Sequence, residues 1–489
     1  MTHLLQTLNW DVTWWLILTW AAELLAIATM PSVLIQRRGQ PLAALAWLFG
    51  LLALPFFGVI LWWGIGRTHL KRKRRRRVSA HWRISKGFAS LRPSREALPP
   101  EIMEKLHPIK RLPMEESAGV FPPVPHNRVK LLVDGDMTYE TLEKMIRESR
   151  SHVHCLFYIW QPDAVGRRFR DLLAEKASEG VEVRLLCDAM GSSKVTGRFM
   201  APLEEAGGKV AFFMPNRLFR RALTINFRNH RKIVVSDGRA GFTGGLNIGE
   251  EYCRNWRDMG LLLHGPVVAQ LQEVFAEDWY FTTGENLAEP GYFQWAGKEM
   301  KPASGEHNAV CSIIAGGPDS RYNATHDAFF IAITNARERI FITTPYLTPN
   351  QAMQAALRTA VFRGVDVRLL VPKKADLPFL TWAGRSYYPA LLSSGIRIFE
   401  YEAGTLHEKM WIFDRDLSVV GTANLDTRSF KLNFETSCFI HSPEVNGALY
   451  KLYKKDLSES REVTMESLRL KGGTERLGEA VANLLSPLF

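Results

Sequence analysis

His230-Arg231-Lys232-Ile233-Val234-Val235-Ser236-Asp237 and His407-Glu408-Lys409-Met410-Trp411-Ile412-Phe413-Asp414 are two copies of one pattern, H-x-K followed by four residues and an aspartate. A single copy is weak evidence, because so short a string arises by chance. Two copies whose surroundings also agree are strong evidence. Asn247 lies 17 residues after His230 and Asn424 lies 17 after His407, each three residues beyond a glycine, Gly244 or Gly421. Asp258 and Glu435 each follow their histidine by 28 residues. The runs Ile233–Ser236 and Met410–Phe413 are β-branched and aromatic, which predicts strands. A histidine and a lysine two apart in extended chain project to one side and can meet one anion together.

The repeat extends outward from the motifs. Gly180-Val-Glu-Val-Arg-Leu-Leu186 returns as Gly364-Val-Asp-Val-Arg-Leu-Leu370. Before the first motif, apolar runs at 129–133, 152–160, 181–187 and 209–214 alternate with helical patterns at 139–150 and 166–179. Runs at 310–315, 339–346, 365–371 and 396–401, with a helical pattern at 323–336, repeat this before the second motif. Strands alternating with helices predict an α/β fold, two duplicated domains with mostly parallel sheets covered on both faces. A period near 180 residues is a duplicated domain rather than a solenoid. The expected domains are 126–285 and 286–489, with the junction in the Gly- and Pro-containing stretch 282–308.

The amino-terminal part has another character. Of the 62 Lys+Arg and 50 Asp+Glu residues, residues 1–90 hold 12 basic ones against Asp11 and Glu23. That end alone carries +10 of the net +12, so a pI of about 9.4 does not describe a basic globular domain, and nucleic acid is not an expected partner. Residues 13–35 contain one charge, Glu23, and residues 41–65 contain none; both exceed the roughly 20 residues that cross a bilayer. Residues 1–66 are therefore expected to form a two-helix transmembrane hairpin, with Trp14, Trp15, Trp62 and Trp63 at one shared interface. Arg37 and Arg38 lie between the runs, whereas Arg67 and the basic run at 71–77 follow the second. Positive charge stays inside, so the expectation is an inner-membrane, multi-pass protein with its amino terminus and catalytic domains cytoplasmic. The basic run also suits anionic headgroups. Residues 67–125 read as a basic juxtamembrane segment and a linker, since eight of the 25 prolines fall in 91–125. Cys155, Cys187, Cys253, Cys311 and Cys438 form no C-x-x-C pair and read as reduced thiols.

The paired motifs suit phosphoryl transfer. A Lys and an Asn from each half (Lys232, Lys409, Asn247 and Asn424) would cradle a phosphate whose oxygens gain charge in the transition state. One histidine attacks phosphorus while the other protonates the leaving oxygen. Asp258 and Glu435 are candidates for fixing the histidine tautomers, and Asp237 and Asp414 for anchoring the turns or the lysines. A lysine beside each histidine repels cations, so no metal site is expected. The sequence lacks a G-x-x-x-x-G-K-[ST] phosphate loop, so ATP-driven chemistry is not indicated. Arg217, Arg220, Arg221 and Arg228 read either as sensors of lipid phosphate or as a solvated basic edge. For either motif alone, a core histidine beside a solvent-facing lysine would be the plainer reading.

The doubled H-x-K-x(4)-D with its following G-x-x-N resembles the phospholipase D superfamily. Together with the amino-terminal apolar runs, the strings Phe157-Tyr-Ile-Trp-Gln-Pro162, Thr343-Thr-Pro-Tyr-Leu-Thr-Pro349 and Gly421-Thr-Ala-Asn-Leu-Asp-Thr-Arg-Ser429, and the ending Leu484-Leu-Ser-Pro-Leu-Phe489, it resembles the bacterial cardiolipin synthases. The resemblance implies one active site shared by two phospholipase D-like domains, with no cofactor. Phosphatidylglycerol would give a phosphatidyl-histidine and glycerol, and a second phosphatidylglycerol would take the phosphatidyl group to give cardiolipin. By that analogy His230 is the nucleophile and His407 the acid/base, an order that pseudo-symmetry leaves open. A hydrolytic phospholipase D would use the same residues with water; a non-enzymatic tether to anionic lipid would need only the basic run. Asp426 and Arg428 of the second half face Gly249 and Glu251 of the first, so any role for them belongs to one half.

Overall fold

The structure is a computed structural model describing residues 2–66, 84, 98–100, 102, 119–214, 227–253, 256–293, 306–319, 322–470 and 472–485. Two compact units result: an amino-terminal helical one and a larger α/β one. Most of the basic juxtamembrane segment and linker, Arg217, Arg220, Arg221 and the final Ser486–Phe489 lie outside the described residues.

In the amino-terminal unit, α1 (Thr2–Gln36) includes a stretch, Trp14–Gln36, long and apolar enough to cross a membrane. The second apolar run does not make a matching span. It forms α2 (Pro41–Ala53) and α3 (Pro55–Leu61), broken at Leu54 and continued by a π turn, Trp62–Gly66. Pro55 supplies no N–H to carry α2 onward, and the chain folds back there. Gly58 lets α3 lie against α2, since a Cβ on it would sit 2.9 Å from the Gly50 carbonyl oxygen. The return is fixed by side chains. Trp62 Nε1 donates to Ser32 Oγ at 3.2 Å, Trp63 Nε1 to Thr29 Oγ1 at 3.3 Å, and Arg37 to the Gly66 carbonyl at 2.9 Å. Trp62 and Trp63 thus sit beside the end of α1 rather than level with Trp14 and Trp15, which corrects the expectation of one shared tryptophan interface. At about 1.5 Å per residue the 13-residue α2 is near 20 Å long, short of a bilayer core of about 30 Å. Glu23 faces outward from this unit.

Among the described residues, the larger unit has twenty strands. The first half holds β1 (Val124–Val133), β2 (His152–Phe157), β3 (Glu182–Asp188), β4 (Lys209–Phe213), β5 (Arg228–Asn229), β6 (Ile233–Ser236), β7 (Ala240–Gly244), β8 (Trp256–Arg257) and β9 (Met259–His264). The second holds β10 (Glu306–Gly316), β11 (Arg339–Thr343), β12 (Leu347–Thr348), β13 (Asp366–Pro372), β14 (Arg397–Tyr401), β15 (Thr405–Leu406), β16 (Met410–Phe413), β17 (Leu417–Gly421), β18 (Leu425–Asp426), β19 (Asn433–His441) and β20 (Ser460–Val463). Sixteen of them form one sheet. Outward from the antiparallel β1–β10 pair, the order is β9-β7-β6-β2-β3-β4 on one side and β19-β17-β16-β11-β13-β14 on the other, with β20 at that edge. The two halves therefore have the same order about a pseudo-twofold.

The sheet is mixed. Its wings, β2-β3-β4 and β11-β13-β14, are parallel as the alternation of strands and helices requires. Its centre is antiparallel, and there the expectation of mostly parallel sheets is corrected. β6 turns into β7 through Asp237-Gly238-Arg239, and β16 into β17 through Asp414-Arg415-Asp416, links far too short for a parallel crossover. Asp237 (φ 53°) and Asp414 (φ 48°) adopt the left-handed conformation that starts each turn, which aspartate tolerates better than most residues.

Helices Val267–Thr283 and Pro443–Ser458 cover the face where the halves share a core, with Leu271, Phe275 and Trp279 packed among Ile233, Leu261, Cys311, Met410, Val420 and Cys438. The opposite face has separate cores under Asp134–Arg147 and Ala164–Ser178 in one half and under Ala324–Asn335 and Gln351–Phe362 in the other. Each large apolar side chain fully buried there contributes about 1.5–3 kcal/mol. All five cysteines are free, and all but Cys253 are buried.

Candidate active site

Two short strand pairs build the site, and each joins one half to the other. β5 runs parallel to β19, pairing Arg228 with Asn433 and Asn229 with Phe434; β15 runs parallel to β8, pairing Thr405 with Trp256 and Leu406 with Arg257. The histidine N–H groups continue the pairing: His230 N donates to the Phe434 carbonyl at 2.9 Å, and His407 N to the Arg257 carbonyl at 2.7 Å. Each histidine is thereby brought beside the carboxylate of the opposite half. His230 Nδ1 lies 3.1 and 3.0 Å from the two Glu435 oxygens, and His407 Nδ1 lies 2.7 Å from Asp258 Oδ2. A carboxylate is an acceptor when ionised, so each Nδ1 carries the proton and Nε2 keeps its lone pair.

Both carboxylates are buried, and each is supported differently. Glu435 also accepts from the Thr422 hydroxyl and from Asn433 Nδ2 at 3.0 Å. Asp258 accepts from Met259 N at 2.8 Å, and the position equivalent to Thr422 is Gly245, where a Cβ would fall 2.0 Å from Asp258 Oδ1. The shorter acid sits where the threonine side chain would be. Burial would raise both acids. His230 with Lys232 holds Glu435 below the ordinary carboxylate range, and Lys409 with His407 does the same for Asp258.

Lys232 and Lys409 are buried in the same site and feel one another's charge. Lys232 Nζ donates to the His230 carbonyl at 2.8 Å, and Lys409 Nζ donates to the His407 carbonyl. Burial, then the Lys409 charge, pulls Lys232 down to about 7 against Glu435 and Asp258. Burial also lowers Lys409. The imidazoles follow: burial takes His230 down to about 4 against Glu435, and burial with the Lys409 charge lowers His407 against Asp258. Neutral histidines beside two buried lysines make a site suited to an anion.

Asp237 and Asp414 serve the fold. Asp237 accepts from the backbone N–H groups of Arg150, Ser151 and His152, and Asp414 from those of Arg337, Glu338 and Arg339. Of the two roles open to them, anchoring the turns or the lysines, these contacts are those of the turn. Asn247 Oδ1 accepts from Ile159 N at 3.1 Å; Asn424 Nδ2 donates to Asp426 Oδ2 at 3.2 Å, leaving a buried Oδ1 with no protein partner. Burial pushes Asp426, whose carboxylate caps the helix Thr427–Lys431, up to about 6.

Aromatic rings wall the site, and none of them belongs to a motif. Tyr158 stands edge-on to His230 with centroids 5.0 Å apart, Trp256 lies 5.2 Å from His407, and Tyr346 stands 6.2 Å from His407. Sequence reasoning quoted the strings holding Tyr158 and Tyr346 but assigned the tyrosines no role; their recurrence just after β2 and β11 was the available signal.

Two histidines, each held by a carboxylate of the opposite half and flanked by buried lysines, form a duplicated site chemically suited to the transfer of a phosphoryl group. A family model described as the PLD-like domain of cardiolipin synthase matches residues 142–279 and 329–457, and the chain belongs to that family. It is 36% identical over 479 residues to cardiolipin synthase A of Pseudomonas fluorescens, covering 95% of this chain and 96% of that protein. It is 40% identical over 366 residues to cardiolipin synthase 2 of Bacillus anthracis, covering 74% and 70%. The crystal structure of phosphatidylserine synthase from Haemophilus influenzae shares the fold, with a TM-score of 0.57 at 14% identity over 76% of this chain and 98% of that one. The chain is thus a phosphatidyltransferase of the phospholipase D superfamily.

Proposed function

We propose that the protein makes cardiolipin from two molecules of phosphatidylglycerol by two displacements at one phosphorus. The observation that carries this reading is the pair of crossed Nδ1–carboxylate contacts, which leave an Nε2 lone pair on each histidine. His407 takes up a proton at Nε2 as the anionic phosphodiester binds. His230 Nε2 attacks the donor phosphorus, the bond from phosphorus to the glycerol oxygen breaks, and His407 gives that oxygen the Nε2 proton and is left neutral. The primary hydroxyl of a second phosphatidylglycerol then loses its proton to His407 and attacks phosphorus, the P–N bond breaks, and His230 is regenerated. Lys232, Lys409, Asn247 and Asn424 hold the phosphoryl oxygens. Attack is assigned to His230 and proton transfer to His407 by the family resemblance, since burial lowers both imidazoles and each is backed by a carboxylate. The aromatic walls limit access of water to the intermediate. Purified protein given phosphatidylglycerol alone should release glycerol and cardiolipin in equal amounts. Phosphatidic acid as the dominant product would make it a hydrolase, and no lipid turnover would leave a tether.

We also propose that α1 crosses the bilayer while α2 and α3 dip into it and return. Gly66 then lies on the face reached at the end of α1, with Arg37 and Arg38, and the sequence that follows it is basic whereas 1–36 contains no Lys or Arg. Positive charge inside places that face and the catalytic part in the cytoplasm, and the amino terminus opposite. Phosphatidylglycerol and other anionic lipids of that leaflet are the partners.

A further inference from the structure

The pseudo-twofold gives each histidine a tyrosine, but the two tyrosine hydroxyls have different partners. Tyr158 meets the Arg228 guanidinium, with Arg428 and the buried Asp188 carboxylate close by. Tyr346 donates to Asp376, its hydroxyl 2.8 and 2.9 Å from the two carboxylate oxygens. We propose that Asp376, held by Tyr346, is the specificity-determining residue that recognises the free hydroxyls of the glycerol headgroup beside His407. This rests on reading His407 as the acid/base.

The argument is one of matching asymmetry. The groups that hold the phosphoryl oxygens, a lysine and an asparagine from each half, are the same on both sides, so they do not tell one end of a phosphodiester from the other. Those ends differ chemically. The diacylglycerol end offers ester oxygens and no hydroxyl, whereas the headgroup end is a glycerol with two free hydroxyls. An ionised carboxylate only accepts hydrogen bonds, so it suits a vicinal diol and gains nothing from an ester. Asp376 uses one acceptor site for Tyr346 and one for Leu377 N at 3.0 Å, out of about four on a carboxylate. It is exposed at the rim of the site, yet its charge reaches His407 and Lys409. The first half offers no exposed counterpart: the carboxylate that ends its β3, Asp188, also lies near Tyr158 but is buried and occupied by the N–H groups of Met190, Gly191 and Asn229. The same subsite would serve both displacements, since glycerol departs from it and the headgroup of the second lipid enters it. Its negative charge would also turn the acceptor hydroxyl-first, keeping the second phosphate away from His407.

The test uses the full chain in mixed micelles with phosphatidylglycerol and two competing alcohols, labelled glycerol and 1-propanol. Transfer to glycerol gives labelled phosphatidylglycerol and transfer to propanol gives phosphatidylpropanol, so one reaction reports both. Asp376→Ala and Asp376→Asn should lower the ratio of kcat/KM for glycerol over that for propanol by about tenfold or more, the scale of a lost charged hydrogen bond. Asp376→Glu should recover part of it, and Tyr346→Phe, which leaves the carboxylate unanchored, should fall between. An equal fall for both alcohols, or an unchanged ratio, would overturn the assignment. Cardiolipin synthesis surviving in His230→Asn would instead overturn the mechanism and leave the alcohol ratio to be judged by itself.

Discussion

Lys232 ties activity to pH through a single ammonium. Its cationic form holds the phosphoryl oxygens and, with the pKa drawn down to about 7 by burial and by Lys409, is present below that pH and lost above it. On free enzyme, kcat/KM should therefore fall about tenfold per pH unit above about 7, and kcat should fall later because a bound phosphodiester holds the proton on. Stability should move the other way. The unfolded chain keeps this proton well above pH 7, so it binds more protons than the folded one there, and this lysine's contribution to stability rises with pH over that window. A flat kcat/KM profile to about pH 9 would contradict the role given to Lys232. Gly245 gives a second test at this scale. Gly245→Thr imitates the other half in sequence, but its Cβ would fall 2.0 Å from Asp258 Oδ1 and displace the acid from His407. Activity should drop at least about a hundredfold, the upper range for lost support of a catalytic group, and the double variant Gly245→Thr/Asp258→Gly should fold better than the single one. Near-normal turnover by Gly245→Thr would show that His407 does not need Asp258.

The decisive elements are the two-strand exchanges, and they mark the limit of what sequence conveys here. The 28-residue spacing of Asp258 and Glu435 from the histidines was legible and identified both acids, but not which histidine each one serves. The β5–β19 and β15–β8 ladders decide that, and such crossings leave no periodicity to read. The parallel wings were legible from alternating strands and helices, whereas the antiparallel centre hangs on short turns begun by Asp237 and Asp414, which the sequence offered as anchors of either the turns or the lysines. Repetition, the strongest signal in the chain, also hid residues lacking a copy, Asp376 above all. The exchange is braced asymmetrically. In the first motif buried Arg231 donates to Asp278 at 2.7 Å and to the carbonyls of Gly316 and Glu435, joining the helix Val267–Thr283 to strands of the second half. In the second motif that position is Glu408, and the arginine stands on the opposite strand as Arg257, bound to Asp456 at 2.9 and 3.0 Å. Arg231→Ala removes a buried ion pair and two hydrogen bonds to backbone carbonyls and should cost about 3–5 kcal/mol, read as a clear drop in thermal midpoint, with part restored by Asp278→Asn. A loss below about 1 kcal/mol, the scale of an exposed pair, would contradict the brace.

Over the whole molecule, two features follow from the chain's course. The apolar run 41–65 was legible as hydrophobic, but its length concealed the fold-back at Pro55, because a count of apolar residues is blind to where a helix breaks. The resulting orientation can be tested in intact cells with single cysteines, in a background whose five native cysteines are replaced. Thr2→Cys should react with an impermeant maleimide from outside and Gln40→Cys should not; the reverse pattern would restore two full spans. The other feature is that neither half holds a complete site, since each histidine depends on the opposite half for its carboxylate. The central claim, one phosphorus handed through one histidine of a shared site, is tested most directly by mass spectrometry of His407→Asn protein quenched with phosphatidylglycerol. A phosphatidyl group should be found on His230 and on no other residue, and it should be absent from His230→Asn. Label on another residue, or continued cardiolipin synthesis by His230→Asn, would contradict the account.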